Sequence, residues 1–232
     1  GEDIVGNAMA AGLLFSSAWR VGVDWLERPG SNAWAIAPEK SASGNALLLT
    51  NPHLPWSARF TWMEAQLVAP GVDAYGASLI GIPLPTVAFN DRLGWTHTVN
   101  TQDAEDVYEL TLVDGGYRWD GGVRAFEVDT VLLRVREADG TLREEPLVRR
   151  RSAHGPVIAE RDVSALAVRS AFGMDAEAFL QSWEMLRASD RAEFERALAR
   201  NRIIGQNVTY ADADGNVLYS YGAATPRRPR GD

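Results

Sequence analysis

The chain has 232 residues, with Lys+Arg 23 against Asp+Glu 31, a formal net charge of -8, 46% hydrophobic residues and no cysteine. That length suits one globular domain with a sizeable core. The lack of cysteine removes disulfides, zinc-thiolate sites and a thiol nucleophile. The acidic balance argues against nucleic acid as a partner, because phosphate-backbone binding needs clustered positive charge.

The longest apolar-biased stretch, Met9 to Phe15, falls far short of the roughly 20 residues that span a bilayer, so no membrane partner is expected. Glu2 and Asp3 stand where a secretion signal carries basic residues. A start at Gly1 and an end at Asp232, just after a strand-like segment, read as a piece of a longer protein.

Ile4, Val5, Met9, Leu13, Ala18, Val21 and Trp25 recur at spacings near three and four, which predicts an amphipathic helix within residues 1–27. Pro29-Gly30 stops it. From Ser31 the period becomes two: Trp34 and Ile36, Ala46 to Leu49, then Phe60, Trp62, Ala65 and Leu67 predict short strands. Hairpin turns are predicted at Asp114-Gly115-Gly116, Asp120-Gly121-Gly122, Asp139-Gly140 and Asp214-Gly215. Val131, Leu133 and Val135, and later Thr209, Ala211, Val217 and Tyr219, alternate as half-buried antiparallel strands do. Within residues 175–201, Phe179, Trp183, Leu186, Phe194 and Leu198 keep helical spacing, with Ser189-Asp190 as turn and N-cap. The order of helix, many strands, helix and strands reads as an α+β layered domain.

His53, His97 and His154 lack a metal-ligand spacing such as H-E-x-x-H, and each reads more naturally as a turn, core or supporting residue. Asp103, Glu105 and Asp106 could hold a hard cation through oxygen, although such a run is ordinarily a solvated surface. In Asp212-x-Asp214-Gly215 the glycine comes too early for a calcium loop, and a hairpin explains it better. Pro226-Arg227-Arg228-Pro229-Arg230 is a locally basic, solvated ending. No G-x-S-x-G elbow, Walker loop or dinucleotide fingerprint occurs.

What remains is a series of short motifs. Ser31-Asn32-x-Trp34-Ala35 is followed by Gly44-Asn45-Ala46-Leu47-Leu48-Leu49 and Asn51-Pro52-His53-Leu54-Pro55-Trp56. Then come Tyr75-Gly76-Ala77-Ser78, Gly81-Ile82-Pro83, Ala88-Phe89-Asn90, Trp95-Thr96-His97-Thr98-Val99-Asn100, His154-Gly155-Pro156 and Asn207-x-x-Tyr210-Ala211-Asp212. In this order they closely resemble the penicillin amidase family of N-terminal-nucleophile hydrolases, in particular cephalosporin (glutaryl) acylases and acyl-homoserine-lactone acylases.

The resemblance implies a four-layer αββα sandwich, of which this chain would supply part. It also implies self-cleavage between Gly30 and Ser31. Residues 1–30 would close the small subunit and its spacer, and residues 31–232 would open the large subunit that bears the nucleophile. The cleaved serine fits the chemistry: a hydroxyl is a weak nucleophile until a base takes its proton, and a free α-amino group with a pKa of about 7.7–8.0 is such a base. By resemblance, the backbone N–H of Val99 and the side-chain amide of Asn207 stabilise the oxyanion. His53 assists maturation and turnover, and Arg228 supports the asparagine. Asp103 and Asp106 match calcium ligands of the penicillin G acylase branch; no other cofactor is implied.

At the position where glutaryl acylases carry an arginine for the substrate carboxylate, this chain has Thr86. A neutral acyl chain is therefore expected, in a pocket to which Phe60, Trp62 and Val87 contribute. Acyl-homoserine lactones, β-lactam side chains and lipopeptides all satisfy that description. The rivals are a glutaryl-type cephalosporin acylase and a non-catalytic β-rich binding module. The resemblance further implies an N-acyl amide substrate, partner segments from the rest of the small and large subunits, and a periplasmic or secreted location.

Overall fold

The computed structural model describes residues 30–54, 60–171 and 176–228. The helix expected over residues 1–27 lies outside them. The first strands are β1 (Gly30–Ile36), β2 (Leu47–His53), β3 (Trp62–Ala69), β4 (Val72–Leu79), β5 (Val87–Phe89) and β6 (Leu93–Val99), with one 3-10 turn at Pro38–Lys40 between β1 and β2. Phe60 precedes β3 instead of opening it, and it is buried.

The next stretch, Glu105–Ser170, is a compact unit of its own. It contains β7 (Glu105–Val113), β8 (Gly116–Trp119), β9 (Gly122–Arg124), β10 (Glu127–Arg136), β11 (Leu142–Ser152), β12 (Gly155–Glu160) and β13 (Ser164–Ser170), in a seven-stranded antiparallel sheet of order β10-β11-β12-β13-β7-β8-β9. Three of the Asp-Gly turns close its hairpins. Asp120 and Gly121 both have positive φ, 44° and 76°, which suits the tight twist of a two-residue connection. Its small core joins Leu110, Tyr117, Ala165 and Ala167, and the Tyr117 hydroxyl accepts a hydrogen bond from Ala153 N at 2.8 Å.

From Ala171 onward the chain belongs to the same unit as the residues up to Ala104. It adds α1 (Ala176–Arg187), α2 (Arg191–Leu198), β14 (Gln206–Asp212) and β15 (Val217–Tyr221). The six-stranded antiparallel sheet of this unit runs β15-β14-β6-β5-β4-β3. One face packs on the helices. Val72 and Ala74 of β4, Leu93 and Trp95 of β6, and Val208 and Tyr210 of β14 are buried against Met185, Leu186, Phe194 and Ala197. The Phe194 ring centroid lies 5.6 Å from Trp95 and 4.7 Å from Tyr210. Arg200 holds α1 from behind α2, donating to Glu184 at 2.6 and 2.7 Å and to Glu177 at 2.8 Å.

The other face receives β1 and β2, which pair with each other antiparallel. Thr50 and Thr96 share a hydrogen bond between their hydroxyls. Gly94 makes room for Leu48: a Cβ there would stand 3.2 Å from Leu48 Cδ2. Helices, a six-stranded sheet and a two-stranded sheet thus supply three of the four expected layers within one unit.

Candidate active site

Ser31 sits near the start of β1, directly after the bond expected to be cut. Its hydroxyl donates to the Gly30 carbonyl at 2.6 Å, so Oγ is held beside the peptide group it would have to attack. The antiparallel register sets Gly30 opposite His53 and Ser31 opposite Pro52, which brings the histidine to the same bond. Asn32 Nδ2 lies 3.1 Å from His53 Nε2. An amide nitrogen only donates, so the imidazole accepts there and carries its proton on Nδ1.

Val99 ends β6 opposite Gln206 of β14. The next residue, Asn100, donates its N–H to Gly205 O at 2.9 Å. By the alternation of antiparallel bonding, the Val99 N–H points away from β14 and is left for another acceptor. Asn207 lies one residue further along β14, and its side chain belongs to the opposite face. There Nδ2 donates to Thr98 Oγ1 at 3.0 Å, and Oδ1 is buried with no hydrogen-bond partner among the described residues.

Arg228 reaches Asp103, with Nη1 3.2 Å from its carboxylate and Nη2 donating to its backbone carbonyl at 3.4 Å. Asp106, the other residue matched to a calcium ligand, belongs to β7. Among the described residues no three His, Asp or Glu side chains gather as metal ligands.

Ser31 opens onto a cavity of about 120 Å³ between the six-stranded sheet and α1. Phe60, Trp62, Thr86, Val87 and Val99 all line it. Thr86 is polar but committed: its N–H and its hydroxyl both bond Ala77 O, at 3.0 and 3.2 Å.

Four lining residues carry no local signal that would have singled them out for this role. Phe179 and Arg202 come from α1 and the segment after α2, and His97 and Gln206 come from β6 and β14. His97 sits with Nδ1 2.7 Å from the Thr86 carbonyl. Burial pulls its pKa down to about 4 and the bond to Thr86 opposes that fall, so the ring is neutral at physiological pH.

A profile of the family described as penicillin amidase matches residues 4–232. The acyl-homoserine lactone acylase PvdQ of Pseudomonas syringae pv. tomato is 35% identical over 209 residues, covering 84% of this chain and 26% of that protein. Aculeacin-A acylase of Actinoplanes utahensis is 28% identical over 211 residues, 85% of this chain and 26% of its own. A thermostable penicillin G acylase from Alcaligenes faecalis superposes with a TM-score of 0.73 at 22% identity, over 86% of this chain and 36% of that one. The chain therefore spans about a quarter of the curated relatives it matches. With an N-terminal-nucleophile hydrolase fold and a family profile matched over nearly its whole length, this chain belongs to the penicillin amidase family.

Proposed function

We propose that this chain carries the nucleophile of an acylase that hydrolyses the amide bond of an N-acyl substrate through an acyl-enzyme. The supporting observation is the Ser31 hydroxyl, 2.6 Å from the Gly30 carbonyl oxygen, at the edge of a cavity walled by Phe60, Trp62, Val87 and Val99. In maturation Ser31 Oγ attacks the Gly30 carbonyl carbon, and the peptide nitrogen leaves as the α-amine of Ser31. Water then hydrolyses the ester. Residues 1–30 end one subunit and residues 31–232 begin the other, and the rest of both completes the enzyme.

In turnover the free α-amine takes the Ser31 proton as Oγ attacks the substrate carbonyl. The oxyanion forms where the Val99 N–H is unspent; one such fixed donor is worth about 2.7–4 kcal/mol. The same ammonium returns the proton to the leaving amine, and water frees the acyl group. By the family resemblance Asn207 is the second oxyanion donor: its side chain lies on the sheet face that receives β1, and its amide nitrogen keeps a second N–H beside the one given to Thr98 Oγ1. His53, opposite Gly30, orients the cleaved terminus through Asn32.

The cavity wall favours a neutral acyl chain, of the kind named in the acyl-homoserine lactone acylase relatives. Arg202 at the same cavity keeps the glutaryl-type alternative as a second reading, since a guanidinium could meet a terminal carboxylate. Intact mass and N-terminal sequencing of the complete open reading frame's product, beside Ser31→Ala, test the central claim. The expected result is a new terminus reading Ser-Asn-Ala-Trp that the variant lacks. An uncut, folded wild-type protein would leave the mechanism without its base and favour the binding-module reading. Hydrolysis of matched neutral and glutaryl amides by the complete enzyme separates the two acyl classes.

A further inference from the structure

Val99 is the last residue of β6, and chain segments at the ends of elements are where pairing ordinarily frays. An oxyanion donor needs the opposite, because a misplacement of about 1 Å can cost about 10²-fold in rate. Beyond Val99 the pairing of β6 with β14 has one more bond, from Asn100 N–H to Gly205 O at 2.9 Å.

The Asn100 side chain closes that end. Its Nδ2 donates to Gly222 O at 2.8 Å, and its Oδ1 accepts from Gln102 N at 3.3 Å. A carbonyl only accepts and an N–H only donates, so both partners demand the same orientation of the amide. Gly222, just past β15, is itself bonded to the start of β14: it accepts from Gly205 N at 3.2 Å and donates to Gln206 O at 3.0 Å. No side chain fits there, since a Cβ on Gly222 would stand 2.5 Å from Gln206 O and 3.2 Å from Ile203 O. Through Gly222, the residue after the Val99 donor is thus tied to the residue before Asn207.

We propose that Asn100 is a positioning residue: its bond to Gly222 fixes the end of β6 against β14 and holds the two oxyanion donors, Val99 N–H and the Asn207 amide, at one spacing. The inference rests on the acylase reading above. Asn201 supplies the contrast. It donates to Ala223 O at 2.9 Å, the same kind of bond to the next residue of the segment, but from the turn after α2 and not from β6.

The test uses the complete, processed enzyme with three probes. Octanoyl p-nitroanilide is the substrate, octanoic acid the ground-state ligand, and heptylboronic acid, whose boron becomes tetrahedral on taking up Ser31 Oγ, the transition-state mimic. Asn100→Ala is expected to lower kcat and heptylboronic acid affinity by about tenfold or more, with KM and octanoic acid affinity kept within about twofold. Asn100→Asp keeps the shape and the bond from Gln102 but lacks the donor, and it should lose as much. Asn201→Ala should keep kcat within about twofold. Hydrogen exchange of the backbone amide of residue 100 should quicken about tenfold in Asn100→Ala, a readout independent of hydrolysis.

Asn100 variants that are less stable yet keep the wild-type kcat would overturn the proposal and leave the bond to stability alone. An equal loss of kcat in Asn201→Ala would overturn it too, because general loosening of the segment would then set the rate. Parallel losses of octanoic acid and boronic acid affinity would overturn it as well, placing the effect in the acyl cavity. Should Asn100→Ala fail to fold, Asn100→Asp carries the test. A wild type that hydrolyses no anilide, with exchange at residue 100 quickened by the substitution, would sink the acylase reading and leave the clamp at the end of β6 standing.

Discussion

At the residue Ser31, nucleophile and base occupy one amino acid, and this fixes the pH behaviour of the reaction. Only the neutral α-amine can accept the hydroxyl proton, so kcat/KM of the mature enzyme should climb as pH rises through about 7–8 and then level. A profile flat from pH 6 to 9 would point to another base. The oxyanion donors give a second test. Asn207 lies on the sheet face that receives β1, so Asn207→Ala should lower kcat about 10²–10³-fold, as loss of an oxyanion donor does. A loss of less than about tenfold would remove Asn207 from the oxyanion site. Gly76 bears on packing alone: a Cβ there would stand 2.3 Å from Val87 O and 2.6 Å from Ala88 Cβ. Gly76→Ala must displace β5 and should destabilise by about 1–3 kcal/mol in urea unfolding.

Among the elements, those that local chemistry dictates were legible in the sequence. All four Asp-Gly turns fall where hairpins close, because each needs a residue at positive φ, which Gly115, Gly121, Gly140 and Gly215 supply at no steric cost. The α1–α2 pair was legible too. Asp190 caps α2 by accepting from Glu193 N at 2.8 Å, and Glu193 returns to Ser189 N at 3.0 Å and to its hydroxyl at 2.9 Å. Asp190→Ala should therefore lower stability by about 1 kcal/mol, read as a shift in the urea midpoint, with Asp190→Asn recovering most of it. The separate Glu105–Ser170 unit was not legible. Its identity depends on β13 returning to pair with β7, Val168 opposite Val107, a contact between distant residues that no turn announces. His97 escaped for a related reason. A lone histidine in a strand has no pattern of its own, and only the β6–β14 register sets it beside Gln206 at the cavity.

Across the whole molecule, burying neutral histidines makes stability depend on pH in a definite direction. His97 is held well below its ordinary pKa, at about 4, chiefly by burial. His154, stacked on Tyr108 at 3.6 Å, is lowered by burial and by the charge of Arg169. In the unfolded chain both titrate near 6.5. Between that value and the lowered folded one, the unfolded chain binds more protons than the folded one, so stability must fall as pH falls through this window. Carboxylates held low by partners, such as Glu193 beside Ser189, act in the same direction but only at lower pH, where unfolded carboxylates begin to protonate near 4.3. The interval from about pH 6.5 to 5 thus belongs to the histidines. Thermal midpoints of the complete protein should drop across that interval, and His97→Gln should flatten the drop without abolishing it, because His154 remains. An unchanged slope in the variant would mean that His97 opens to solvent and protonates in the folded state.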